Sequence, residues 1–251
     1  MVSKTQTYLV DTTFILRQAA DAFHGAPLLV VDAKDHTFTY GFLRNLLLAR
    51  RALGVTRGIL VVGAAGHAAA IDGDVTAVVE FARALGLPLI HKPQRSVLDI
   101  CYQLCDKATH LVTCDTKLLQ LATERLSVIR PKDRNEYECL TPASVSSQVG
   151  VPPLQIPTLL ALHDTEKGGN KTGPLTKRQA VRLVELYGSL ESIYANLDEI
   201  KASAIRDKLA SGREAIMRTY SGSKVDASPV DVTIEGNRLG WRLNNKRVAK
   251  M

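Results

Sequence analysis

Short apolar runs alternate with helical patterns through the first 150 residues, a rhythm that few folds accommodate. The runs are TYLV at 7–10, GILVVG at 58–63, LPLI at 87–90, HLVT at 110–113 and LSVIR at 126–130, while PLLVVDAKDHTFTY at 27–40 reads as a hairpin. Apolar spacing between them predicts helices over 14–22, 41–53, 75–85, 97–107 and, briefly, 117–123. Strands separated by helices pair in parallel and are buried on both faces, so they read as continuous apolar stretches. The expected fold is therefore α/β, a largely parallel sheet with flanking helices. In such sheets ligands collect beyond the carboxyl ends of the strands, where Asp11, Gly63 and Asp115 stand.

The rhythm changes at GVPPLQIP, 150–157, where Pro152, Pro153 and Pro157 interrupt regular structure. The expected division is an α/β core over 1–150 and a C-terminal region over 151–251. That region reads as helices at 158–162, 177–187 (stopped by Gly188) and 204–219, with a Gly/Asn/Lys loop at 163–174. A β-hairpin around Gly236-Asn237 and the basic tail NNKRVAKM follow.

Charge is uneven across this boundary. Residues 1–150 hold 16 Lys/Arg against 14 Asp/Glu, or +2, whereas 151–251 hold 16 against 11, or +5. The basic C-terminal part suggests a phosphate-rich partner. Cys101, Cys105, Cys114 and Cys139 lie in apolar periodic segments without a C-x-x-C pair, which points to packing rather than zinc. No apolar run approaches the length of a membrane span, and the N-terminus lacks a secretory pattern. The expected location is cytoplasm or organelle matrix, with no membrane partner.

Several stretches carry a resemblance. They are YLVDTTFILR (8–17), YGFLRNLL (40–47), TCDTKLLQLA (113–122), GVPPLQIPTLLALHDTEKGGNKTG (150–173) and YGSLESIYANLDEI (187–200). In this order they resemble the 5′-nuclease family, the 5′-3′ exonuclease domain of bacterial DNA polymerase I and the flap endonucleases. The resemblance implies a PIN-like nuclease core followed by a helix-hairpin-helix. It also implies phosphodiester hydrolysis by two divalent ions, Mg²⁺ or Mn²⁺, clamped by converging carboxylates.

Of the nine acids the family places around its metals, four are found here: Asp11, Asp99, Asp115 and Asp164. Gly63, Ser96, Leu98, Lys117 and Lys167 occupy the other positions. An ammonium offers donors only and cannot ligate Mg²⁺, so Lys117 and Lys167 are expected to serve as counter-ions to Asp115 and Asp164. The remaining acids also have local uses. Asp11 and Asp115 precede helical patterns that they would cap, and Ser96-x-x-Asp99 reads as a capping box. The interval after Gly63 is short and Ala-rich, holding His67 and, as its only Lys or Arg, Arg83; the family's threading arch is missing. No cofactor is expected unless the chain is active, in which case Mg²⁺ or Mn²⁺ is implied.

Binding is a separate matter. TGPLTKRQA (172–180) keeps Gly173 but has Pro174 and Thr176 at the family's other hairpin glycines. Thr176-x-x-Gln179 is a capping box that starts a helix, and its first turn carries Lys177 and Arg178, where the macrodipole disfavours cations. A phosphate docked there would offset that cost. Lys167, Lys171, Gly173, Lys177, Arg178 and Arg182 are the candidate nucleic-acid contacts; Trp241 packs the final hairpin. The expected function is nucleic-acid binding, DNA before RNA by the resemblance, or a structural part of a nucleoprotein assembly. The alternatives are a metal-dependent 5′-3′ exonuclease or flap endonuclease of reduced activity, and a protein-protein scaffold.

Overall fold

A computed structural model describes residues 6–23, 29–31, 34–64, 72–133, 136–163 and 173–236. At its centre is a six-stranded sheet in the order β5-β4-β1-β6-β7-β8. The strands are β1 (Tyr8–Asp11), β4 (Gly58–Val62), β5 (Leu89–His91), β6 (His110–Val112), β7 (Ser127–Asp133) and β8 (Glu136–Leu140), while β2 (Val30–Val31) and β3 (Lys34–Asp35) form a separate antiparallel pair. The first five pair in parallel, with Tyr8 opposite Gly58 and His110, and His110 opposite Ser127. Every residue of β1 and β4 is buried, as continuous apolar runs between helix layers require.

The helices of this part are α1 (Thr12–Phe23), α2 (Thr37–Leu53), α3 (Asp72–Leu85) and α4 (Val97–Leu104). On α2, Phe42, Leu46 and Ala49 recur at helical spacing and are buried. The helix ends at Gly54, whose φ of +62° suits glycine and whose N–H bonds back to the carbonyls of Arg50 and Arg51. Phe14, Ile15, Phe42, Leu46, Leu60, Val62, Leu89 and Val112 belong to one core cluster.

One sequence expectation is corrected in this part of the chain. The hairpin over 27–40 is cut short, because Asp35 accepts the Thr37 N–H at 2.8 Å and starts α2 there, so TFTY is helical. Of the expected final hairpin, residues 230–236 are described and bridge Leu89 through Glu235; the rest lies outside the described residues. Asn237, Trp241 and the basic tail lie outside the described residues, as do Asp164, Lys167, Lys171 and His67.

The C-terminal elements are α5 (Pro142–Val149), α6 (Ile156–Leu162), α7 (Lys177–Tyr187), α8 (Leu190–Ala195), α9 (Ser203–Ser211) and α10 (Arg213–Ser223). The helix expected over 204–219 is two helices, divided at Gly212. A Cβ there would lie 2.9 Å from the Lys208 carbonyl oxygen, so only glycine makes that close turn without a shift. Packing divides the chain into two units. One holds 1–114, 125–139 and 227–251, and the other holds 115–124 and 140–226; the prolines had pointed to a boundary near 150. Among the described residues no helix is long and apolar enough to cross a membrane.

Candidate functional site

In the first unit Asp11 ends β1 almost wholly buried, and both its carboxylate oxygens are engaged by the protein. Oδ1 accepts the Thr13 N–H at 3.0 Å, capping α1, and Oδ2 accepts the hydroxyl of the fully buried Thr113 at 2.7 Å. Beside it lies Cys101, whose thiol is pushed well up by burial and then by the Asp11 charge, so it stays protonated. Asp99 is buried in the first turn of α4. The Ser96 hydroxyl accepts its N–H at 3.1 Å and donates to its Oδ2 at 2.6 Å, so the expected Ser-x-x-Asp cap is present. In the second unit, Asp115 caps the short 3₁₀ turn 116–121 by accepting the Lys117 N–H at 2.9 Å.

In the first unit, Gly63 sits at a closely packed strand end. The chain following β5 folds back across the end of β4, with Lys92 N–H on the Val62 carbonyl at 2.9 Å and Ala64 N–H on the Arg95 carbonyl at 2.6 Å. A Cβ at Gly63 would meet Arg95 O at 2.6 Å, Val97 N at 2.7 Å and Ser96 C at 3.0 Å. These are backbone atoms anchored by the Ser96 cap and cannot swing aside like a side-chain tip. The strand end at Gly63 has no room for a side chain unless the backbone of 95–97 shifts. Among the described residues no three His, Cys, Asp or Glu side chains converge to hold a metal.

Lys117 has a structural partner in its own unit. Its ammonium reaches the Gly222 carbonyl at 3.3 Å near the end of α10, where the helix dipole favours a cation. Gln120 extends the stitch, donating to the Lys117 and Ser223 carbonyls at 2.7 and 2.8 Å. The lysine thus ties the 115–124 segment to α10, a role that its position two residues after Asp115 did not disclose.

The start of α7 matches its sequence signature. Thr176 accepts the Gln179 N–H while the Gln179 side chain accepts the Thr176 N–H, and Gly188 stops the helix with φ +78°. Leu175, buried ahead of the cap, returns a backbone bond to Leu162 at 3.2 Å. Lys177, Arg178 and Arg182 are exposed, and the last two share a face at i, i+4 spacing. Lys177 also reaches the Gln148 carbonyl at 3.4 Å, while Gly173 is half-buried. Sequence reasoning missed Thr113 as the partner of Asp11 and the steric role of Gly63; a glycine at a strand end where an acid was expected was the available signal.

No family model matches the chain. It is 30% identical over 166 residues to the thermostable DNA polymerase I of Thermus thermophilus, covering 62% of this chain and 19% of that protein. Against DNA polymerase I of Streptococcus pneumoniae it is 30% identical over 131 residues, covering 50% and 15%. The chain therefore spans less than a fifth of the length of these polymerases. Among solved structures, T5 D15 protein co-crystallised with metal ions aligns with TM-score 0.61 at 13% identity, covering 86% of this chain and 88% of that one. The catalytic core of Rad2 in complex with DNA substrate aligns with TM-score 0.57 at 17% identity, covering 94% and 83%. Human GEN1 in complex with Holliday junction DNA aligns with TM-score 0.60 at 14% identity, covering 93% and 64%. The fold is the 5′-nuclease fold that these structures share. The sequence similarity to DNA polymerase I points to the same group of proteins.

Proposed function

We propose that the chain is a nucleic-acid-binding protein on a 5′-nuclease fold, one that has given up two-metal hydrolysis and serves as a binding or structural component of a nucleoprotein assembly. The observation that carries this reading is the closed strand end at Gly63, where a Cβ would meet the Arg95 and Val97 backbone at 2.6 and 2.7 Å. Asp11 and Asp99 support it by spending their oxygens on Thr13, Thr113 and Ser96. Rad2 and GEN1, each solved with DNA, make DNA the first partner to test. The exposure of Lys177, Arg178 and Arg182 favours nucleic acid over a scaffold that had buried this face. With Lys167, Lys171 and Gly173 they would form a helix-hairpin-helix-like grip between α6 and α7.

The test is to incubate chelator-stripped protein with 5′-flapped and plain duplexes, adding Mg²⁺ or Mn²⁺, alongside an Asp115→Asn control, and to measure binding of the same substrates by anisotropy. Binding without cleavage is the expected result. Metal-dependent cleavage that Asp115→Asn abolishes would establish the alternative, a nuclease of reduced activity using Asp11, Asp99, Asp115 and Asp164 with Mg²⁺ or Mn²⁺.

A further inference from the structure

Residues 227–236 belong to the first unit, and their hydrogen bonds and ion pairs to Arg83, Leu89, Lys92 and Gln103 gather along one edge of the sheet. Glu235 pairs with Leu89 of the edge strand β5 through bonds of 2.8 and 3.0 Å. Its carboxylate takes Arg83 of α3 in two-point fashion, Nε at 2.6 Å and Nη2 at 3.2 Å. Asp231 takes the Lys92 ammonium at 3.0 Å, just past the end of β5. Gln103 of α4 donates to the carbonyls of Ala227 and Ser228. Little apolar burial holds the segment down: Val230 and Val232 are not buried, and Ile234 is 38% exposed.

We propose that Arg83 and Lys92 form a second phosphate-binding surface, covered by the chain's own acidic segment 227–236, which a nucleic-acid backbone displaces. The proposal rests on the nucleic-acid-binding reading above. Covering an edge strand is reason enough for some segment to lie on β5. It does not account for carboxylates at the two positions that meet the two cations. The fork with which Arg83 grips Glu235 is the geometry arginine offers to phosphate, so the carboxylates stand where phosphate oxygens would. Exposed ion pairs of this kind are worth little individually, and one backbone bridge is a short zipper. A polyanion presenting several phosphates at once therefore has the advantage over two carboxylates. Glu80, one turn before Arg83 on α3, is the acidic neighbour that stays when the segment leaves.

The test compares the full chain with an Asp231→Asn, Glu235→Gln variant for binding to a short labelled DNA duplex across a salt series. With two added phosphate contacts, the neutralised variant should bind at least about threefold tighter at low salt and steepen the log-affinity against log-salt slope by up to about 1.8. Arg83→Gln with Lys92→Gln in that background should remove the gain. Because these variants could perturb folding, amide exchange on the unaltered protein provides a second reading: duplex should speed exchange at Leu89 and Glu235. Wild-type binding with no gain in the variant, or with Leu89 protection unchanged by duplex, overturns the covered surface and leaves the function standing. If neither protein binds nucleic acid, both readings fall.

Discussion

Gly63→Ala adds one methyl group, and the structure says that it has nowhere to go. The new Cβ would lie 2.6 and 2.7 Å from Arg95 O and Val97 N, so the 95–97 backbone must retreat by about 0.8 Å to reach ordinary contact. That shift stretches the 2.6 Å Ala64 to Arg95 bond and costs up to about 1 kcal/mol. It also loosens the Ser96 cap, worth another ~1 kcal/mol. Overpacking adds roughly 1–3 kcal/mol, while the stiffer unfolded chain returns about 0.5–1 kcal/mol. The net expectation is a loss of about 2–4 kcal/mol, read by denaturant titration as a lower midpoint at unchanged slope, or as a fall in Tm of roughly 5–15 °C. Gly63→Asp, which adds a carboxylate at the same place, should be worse, since it also desolvates a charge. Neither Mg²⁺ nor Mn²⁺ should rescue it. A Gly63→Ala protein within about 0.5 kcal/mol of wild type would show that 95–97 yields freely, and a metal-dependent rise in the Tm of Gly63→Asp would show that a ligand site can still assemble; either result would refute the closed strand end.

Other expectations follow from the same geometry. Thr113→Val removes the hydroxyl from Asp11 Oδ2 inside the core and should cost about 1–3 kcal/mol in a denaturant titration; a neutral result would mean that Asp11 is not held as described. Lys177→Glu with Arg178→Glu should weaken duplex binding and flatten its salt dependence by about 0.9 for every phosphate that is no longer neutralised, and an unaltered affinity would remove α7 from the interface. Hydrogen bonds from Thr233, then Lys92, lower the Asp231 carboxyl to about 2. Because its folded value lies below the unfolded one, its hold on the segment is complete above about pH 4 and is lost as pH falls toward 2. A carboxyl-carbon NMR titration of Asp231 with a midpoint near 4 would contradict the Lys92 pairing.

The parallel sheet and the start and stop of α7 were legible because each rests on local chemistry: β1 and β4 are continuous apolar runs, and Thr176, Gln179 and Gly188 carry caps within a few residues. The caps at Asp11, Ser96 and Asp115 were legible for the same reason. What was not legible depends on residues distant in sequence. Nothing near Gly63 announces that 95–97 will lie across it, nothing near Lys117 announces Gly222, and nothing in 230–236 announces the bridge from Glu235 to Leu89. The break at Gly212 was missed differently, since a glycine inside a helical pattern is often tolerated.

The pairing of Glu235 with Leu89 also sets a timetable for synthesis. The segment that covers β5 leaves the ribosome about 150 residues after that strand, which at ~5–20 residues per second is a delay of roughly 8–30 s. Throughout that interval the edge of β5 has no Glu235 to pair with, and an exposed edge is where a nascent sheet recruits wrong partners. Truncation before residue 227 would make that transient condition permanent, so the shortened chain should aggregate during expression even where its isolated helices and strands are sound.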